Sequence, residues 1–411
     1  MIPFFRKLAA GGALLLALIA TPAPAQAPPP PLTILISIDG FRADYLPRGV
    51  TPNIAALAAE GVRATAMHPS YPSLTFPNHY TLVTGLRPDN SGIVDNNMED
   101  PRKPGVAFSM GKADVSHDPF WWDEAEPIWV TAERAGIRTG TMFWPGADLP
   151  IRGVRPSDWK MYDKKFLAND RVDQVLAWLD HPPVERPRFV TLYFDEVDTW
   201  GHNTGPDSPE VNAALARTDA AIGRLVDGLK ARALYERANL VLVADHGMAP
   251  TSPERVTYLD ALLPAADFHW VSSGTSMGLA PTAGHEAEVA KVLLAPHPHM
   301  TCWRKEEIPA RFHYGHNPRV PPFICLAQTG WLVATQASVK AHPIKLGSHG
   351  YDADDPLMAA LFVAHGPAFR KGVVQPAFDN VDIYPLLARL VGVAPQPNDG
   401  RLGDLAPSLA P

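Results

Sequence analysis

The chain has 411 residues, 46% of them hydrophobic, with a formal net charge of -7 and a pI of about 6.1. That balance excludes a broad basic field for nucleic-acid phosphates, and the length admits one large α/β domain with an insertion as readily as two domains. No repeat of fixed period is visible, and many of the 44 prolines fall in 21–32, 250–322 and from Pro395 onward, where they read as stiff loops.

In chain order, the N-terminus reads as an export signal. Arg6 and Lys7 precede an apolar run at 8–20 that is too short for a comfortable membrane span, and Ala23-Pro-Ala25 offers a small-x-small cleavage site. Residues 1–25 are expected to be removed, leaving a periplasmic or secreted chain of 26–411 with no membrane span. A retained anchor is the alternative. Residues 28–31 read as a linker.

Residues 32–38, Leu-Thr-Ile-Leu-Ile-Ser-Ile, predict a buried strand of the parallel type, followed by Asp39-Gly40. Pro52 opens a helix with Ile54, Leu57 and Ala58 on one face, and Gly61 closes it. Residues 61–67 predict a second strand, leading to Pro72-Ser-Leu-Thr-Phe-Pro-Asn-His79. Thr75 there is expected at a helix N-terminus, where free N–H groups and the positive end of the dipole favour an anion. Taken alone, Thr75 is an ordinary helix cap.

A helix is predicted from Pro127 to Ala135, strands over 137–143 and 188–194, and a long amphipathic helix over 208–232. A buried strand over 239–244 follows, ending at Asp245-His246. A late strand spans 358–364 and a late helix 382–391. Strands alternating with helices predict a mainly parallel sheet covered on both faces. The segment 249–346, rich in Pro and His, breaks the alternation and reads as an inserted cap subdomain. It holds Cys302 and Cys325, the only cysteines. They are available for one disulfide in an exported protein, although their spacing does not say whether they meet.

Asp39, Asp198 and Asp245 each follow an apolar strand, the place where such sheets collect functional residues. Asp198 and His202 lie one helical turn apart. Asp245 and His246 are adjacent, with Gly247 permitting a sharp turn, and His349 lies in Ser348-His-Gly350. Carboxylates and imidazoles in this number suit zinc, and paired ions are common in phosphoryl-transfer sites. Two zinc ions would carry four positive charges. The three aspartates and an ionised Thr75 would balance them. His79 and the remaining histidines have no second ligand at a telling spacing and are assigned no ligand role.

These stretches, together with Ile38-Asp-Gly-Phe-Arg42, Gly92-Ile-Val-Asp-Asn-Asn-Met98, Trp144-Pro-Gly146 and Ala244-Asp-His-Gly-Met248, resemble the nucleotide pyrophosphatase/phosphodiesterase family of the alkaline phosphatase superfamily. The resemblance runs in order from about Ile34 to Leu390. It implies an alkaline-phosphatase-like α/β core, 26–411, with the cap 249–346 inserted. It also implies one zinc on Asp39, Thr75, Asp245 and His246 and a second on Asp198, His202 and His349. Thr75 would be the nucleophile, forming a phosphothreonine. Asn96 and the backbone N–H after Thr75 would hold a phosphoryl oxygen.

No Lys or Arg lies in the Thr75 loop, and Asn96 is neutral, which favours a diester over the more highly charged monoester. Phe76 is expected to stack on a base, and Trp144 and Tyr193 are candidates for the same pocket. The leading expectation is hydrolysis of nucleotide phosphodiester or pyrophosphate bonds, releasing nucleoside monophosphates. A lipid head-group diester such as a glycerophosphocholine is the alternative substrate, favoured by an aromatic cage in the cap. A non-catalytic zinc- and phosphate-binding protein is the alternative class.

Overall fold

The computed structural model describes residues 1–2 and 31–411, so the expected export signal lies, beyond residue 2, outside the described residues. Leu32–Ile38 (β1) is buried along its whole length. Each fully buried Leu or Ile there contributes roughly 1.5–3 kcal/mol, which is why the run stays continuous instead of alternating. The same sheet holds Val62–Ala64 (β2), Thr139–Met142 (β3), Asp158–Lys160 (β4), Phe189–Phe194 (β5), Ala238–Val243 (β6), Phe362–His365 (β7) and Val373–Gln375 (β8). Their order is β8-β2-β7-β6-β1-β5-β3-β4, and every pairing is parallel except the two made by β7.

Helices cover both faces. Pro52–Glu60 (α1), Ala168–Leu179 (α4), Glu196–Thr204 (α5) and Pro209–Ala231 (α6) pack together on one side. Thr75–Thr84 (α2), Ile128–Arg134 (α3) and Ile383–Val391 (α7) pack on the other. The architecture is the expected α/β one, with a parallel-rich central sheet. It differs in detail. The strand expected over 61–67 breaks after Ala64, and Met67–His68 pairs instead with Phe378–Asp379. The strand β4 was not predicted, because Asp-Trp-Lys at a sheet edge carries no hydrophobic run. Helix α4 was missed although Val172, Val175, Leu176 and Leu179 have helical spacing and are buried.

Residues from the stretch 249–346 build a separate four-stranded antiparallel sheet, in the order Phe268–Ser272, Ser276–Pro281, Phe323–Ala327, Met300–Arg304. Met277, Leu279, Val289, Leu293 and Phe323 form part of its own apolar cluster. Cys302 and Cys325 are register partners on neighbouring strands and are joined by a disulfide. The two ends of the stretch meet, since Ala249 pairs with Ser348 and Pro250 with Gly347. A second fastening is polar. Asp89 accepts from the backbone N–H groups of Gly315, His316 and Asn317. Fully buried Arg319 donates to Asp100 at 2.7 Å and to the Gly92 carbonyl at 2.6 Å. Both contacts fall on the segment that carries Asn96. Among the described residues no helix is long and apolar enough to cross a membrane.

Candidate metal centre and reaction cleft

Asp39 is the first residue beyond β1, and Gly40 turns the chain there in the left-handed region at φ +67°. A side chain at Gly40 would also strike Asp198, whose Cα lies 3.0 Å from where a Cβ would stand. Asp198 and His202 sit one turn apart on α5, as their spacing predicts. Asp245 and His246 follow β6. Gly247 is needed for a reason other than the expected turn: a Cβ there would sit 2.1 Å from the Leu357 carbonyl oxygen. His349 follows the Gly347–Ser348 bridge, which places it beside His246 with the two rings stacked 3.5 Å apart.

These six residues form two groups, Asp39 with Asp245 and His246, and Asp198 with His202 and His349. Within each, one ligand atom from every residue lies within 4.8 Å of the others. His246 Nε2 is 2.9 Å from Asp245 Oδ2 and 3.4 Å from Asp39 Oδ1. Asp198 Oδ1 is 3.4 Å from His202 Nε2 and 3.5 Å from His349 Nε2. Asp39 Oδ1, Asp198 Oδ1 and Asp245 Oδ2 are buried and make no hydrogen bond. The other oxygens of two of these carboxylates are tied back. Tyr193 donates to Asp39 Oδ2 at 2.6 Å, and the Gly40 N–H donates to Asp245 Oδ1.

The histidines are oriented the same way. Nδ1 of His202, His246 and His349 lies 2.8–2.9 Å from the carbonyls of Gly347, Gly247 and Ser73. A carbonyl only accepts, so each Nδ1 carries a proton and Nε2 is the nitrogen turned inward toward the carboxylates. Buried carboxylate oxygens without partners, facing imidazole lone pairs, are a donor set for cations. Charge agrees. Burial, together with the Asp245 and Asp198 charges, pushes Asp39 well above the usual carboxylate range. Burial, reinforced by His246 and His202, holds His349 well below an ordinary imidazole.

Thr75 begins α2, and its hydroxyl does not cap the helix. Leu74 occupies the cap position, and Thr75 Oγ1 lies 3.3 Å from His246 Nε2. The ordinary-cap expectation is thereby set aside. Asn96 Oδ1 accepts from the Phe76 N–H at 2.9 Å. That N–H was expected to face a phosphoryl oxygen. It instead orients the Asn96 carboxamide, leaving the NH2 end as the donor.

Beside Thr75 opens a cleft of about 360 Å³, lined by Phe76, Trp122, Trp144, Tyr162 and Tyr193 among others. Phe76 is held at its base by Trp122 and Phe108. Trp144 is nearly buried, and its indole N–H donates to the His79 carbonyl. Tyr193 lines the cleft, but its hydroxyl serves Asp39. Tyr162, Met110, Lys160 and the His117–Asp148 pair at 3.1 Å also reach the cleft. Sequence reasoning missed them because they lie in loops or on the polar edge strand. His79 was assigned no ligand role, and it belongs to neither group. It is nevertheless fully buried against Asp245, with Nδ1 3.3 Å from Oδ2. Its position one turn after Thr75 was the available signal.

The family model for type I phosphodiesterase / nucleotide pyrophosphatase matches residues 33–352. An uncharacterized pyrophosphatase/phosphodiesterase of Schizosaccharomyces pombe is 38% identical over 385 residues, covering 89% of this chain and 78% of that protein. A Xenopus laevis bis(5'-adenosyl)-triphosphatase is 38% identical, covering 91% and 80%. Human ectonucleotide pyrophosphatase/phosphodiesterase family member 1 is 39% identical, and the match spans 42% of its length. Among solved structures, murine ectonucleotide pyrophosphatase/phosphodiesterase 5 superposes with a TM-score of 0.88 at 36% identity, covering 92% of this chain and 100% of that one. The same agreement holds for an inactive threonine-to-alanine variant of that murine protein in complex with AMP.

Proposed function

The chain belongs to the type I phosphodiesterase / nucleotide pyrophosphatase family, and on that footing we propose that it cleaves nucleotide phosphodiester or pyrophosphate bonds through a phosphothreonine at Thr75, aided by two zinc ions. The observation that carries this is the convergence of three unpartnered carboxylate oxygens and three inward imidazoles beside one threonine hydroxyl. Asp39, Asp245, His246 and Thr75 would hold one zinc, and Asp198, His202 and His349 the other. When bound, such ions supply Lewis-acid charge that lowers the pKa of a hydroxyl and stabilises a leaving oxygen.

The chain's own residues do the rest. Thr75 Oγ1 stands at the positive end of α2 and attacks phosphorus, forming its P–O bond as the bond to the leaving group breaks. Water then attacks the phosphothreonine from the vacated side, releasing the nucleoside monophosphate and restoring the hydroxyl. The oriented Asn96 NH2 donates to a phosphoryl oxygen. Phe76, Trp144 and Tyr193 wall an apolar cleft suited to the nucleoside half of a diester. The inactive threonine-to-alanine variant of the murine relative, in complex with AMP, supports both the nucleophile and the nucleotide. The cleft lining is drawn from residues 75–193 and includes none of 249–346. The nucleotide reading therefore ranks above a choline diester held in a cap cage. We take the chain to be exported, a reading supported by the basic-then-apolar N-terminus and by the disulfide, which persists in oxidising compartments.

The test is activity of zinc-loaded and metal-stripped protein on a nucleoside-monophosphate aryl ester, a choline phosphodiester and an aryl monoester. The expected order is nucleotide ester above the other two, with no turnover after stripping. A faster monoester would overturn the diesterase assignment.

A further inference from the structure

We infer that His79 is a positioning residue, which fixes the Asp245 carboxylate relative to the first turn of the Thr75 helix through a single imidazole ring. The inference rests on the phosphodiesterase reading above.

The ring is fully buried and lies one turn after Thr75. Its Nδ1 is 2.9 Å from the Thr75 carbonyl and 3.3 Å from Asp245 Oδ2, and its Nε2 is 2.8 Å from Ser37 Oγ. The carbonyl only accepts, so Nδ1 carries a proton. The neutral ring then accepts the Ser37 hydroxyl at Nε2. The other tautomer would set the Nδ1 lone pair against the carbonyl, and a flipped ring would set Cδ2 there and lose the hydrogen bond. Trp144 and Tyr193 meet the ring edge-on at 5.0 and 5.2 Å and hold its plane.

Three parts of the centre are thereby tied together. Ser37 is on β1, two residues before Asp39. Thr75 heads α2. Asp245 follows β6. The Nδ1–H is the polar group next to Asp245 Oδ2, the oxygen left without a hydrogen bond and turned toward His246. A partner of this kind behind a metal-ligating group fixes its orientation, and its loss costs about 10–100-fold in metal affinity or activity. A buried histidine that merely filled space could be exchanged for an apolar side chain of similar volume without that loss.

The test compares His79→Leu, which keeps volume without a donor, with His79→Asn, whose amide N–H reaches the place of Nδ1. Ser37→Ala, which releases the ring without removing it, is the third variant. Zinc affinity of the metal-stripped protein is read by competition with a chromophoric chelator. Thermal unfolding of the metal-free form and separate kcat and KM values complete the set. For His79→Leu we expect zinc affinity at the tighter-affected site to fall about 10–100-fold, and kcat to fall with KM little changed. His79→Asn should recover part of both. A folded His79→Leu with wild-type zinc affinity and kcat overturns the inference, as does an Asn variant no better than Leu. Should His79→Leu not fold, Ser37→Ala decides: weaker zinc binding supports the role, and unchanged binding refutes it. If the wild type cleaves no diester yet His79→Leu binds zinc more weakly, the phosphodiesterase reading falls and the positioning role stands.

Discussion

The Nε2 atoms of His202 and His349 face one another at 3.2 Å, each ring having its other nitrogen on a backbone carbonyl. Two neutral imidazoles so oriented present lone pair to lone pair. A cation between them converts a repulsion into two bonds. Zinc added to stripped protein should therefore raise the melting temperature, by about 2.7 kcal/mol of stabilisation at a hundredfold excess over Kd. Differential scanning calorimetry with and without chelator checks this. His349→Ala should lose the larger part of the shift, and an unchanged shift would remove His349 from the ligand set.

Thr75 and Asn96 should separate kinetically. Thr75→Ala is expected to bind zinc and nucleotide but not to turn over, with no phosphothreonine trapped on acid quenching. Asn96→Ala keeps the nucleophile and loses one donor, which should lower kcat by about 10²–10³. If Asn96→Ala raised KM alone, the carboxamide would be a binding group and not a stabiliser of developing charge.

The double duty of Tyr193 is testable with one atom. Tyr193→Phe keeps the ring in the cleft and removes the hydroxyl held by Asp39. About a tenfold loss in zinc affinity or kcat is expected, with nucleotide KM unchanged. If the variant matches wild type in all three, the ring alone matters and Asp39 needs no orienting partner.

Asp95, next to Asn96, gives a pH signature. Burial raises its carboxyl to about 7, well above the unfolded value. The folded state therefore binds a proton that the unfolded state has already released, and stability through this group falls as pH rises from about 4 to about 7. The upper bound is ~4 kcal/mol, three pH units at about 1.4 kcal/mol each. Urea denaturation of metal-stripped wild type and Asp95→Asn across this range should give curves that diverge as pH rises, the Asn variant gaining. Parallel curves would mean that Asp95 is charged throughout.

Much of this candidate centre could be read from sequence because the residues that converge there sit at strand ends and at helical spacing. Asp39, Asp245 and His246 each follow an unbroken apolar run, and Asp198 and His202 are one turn apart. Their partners were hidden for a physical reason. His79 touches Asp245 across more than 160 residues of chain, and Tyr193 reaches Asp39 only because β5 pairs with β1 in parallel register. Neither contact leaves a local pattern. The short strand β4 is Asp-Trp-Lys and carries no apolar run, and the strand pairings within 249–346, such as Cys302 with Cys325, join positions whose spacing alone does not pair them.

The pairing of Ala249 with Ser348 bears on how the protein matures. The candidate ligands run from Asp39 to His349, so a nascent chain holds the Asp39, Asp245 and His246 set in full before it holds the second set. Only when the excursion between His246 and His349 has closed on itself does the last imidazole arrive. Of the two groups, it is the one on Asp198 and His202 that waits for a residue made after the whole of 249–346, so its geometry reports on closure of that stretch.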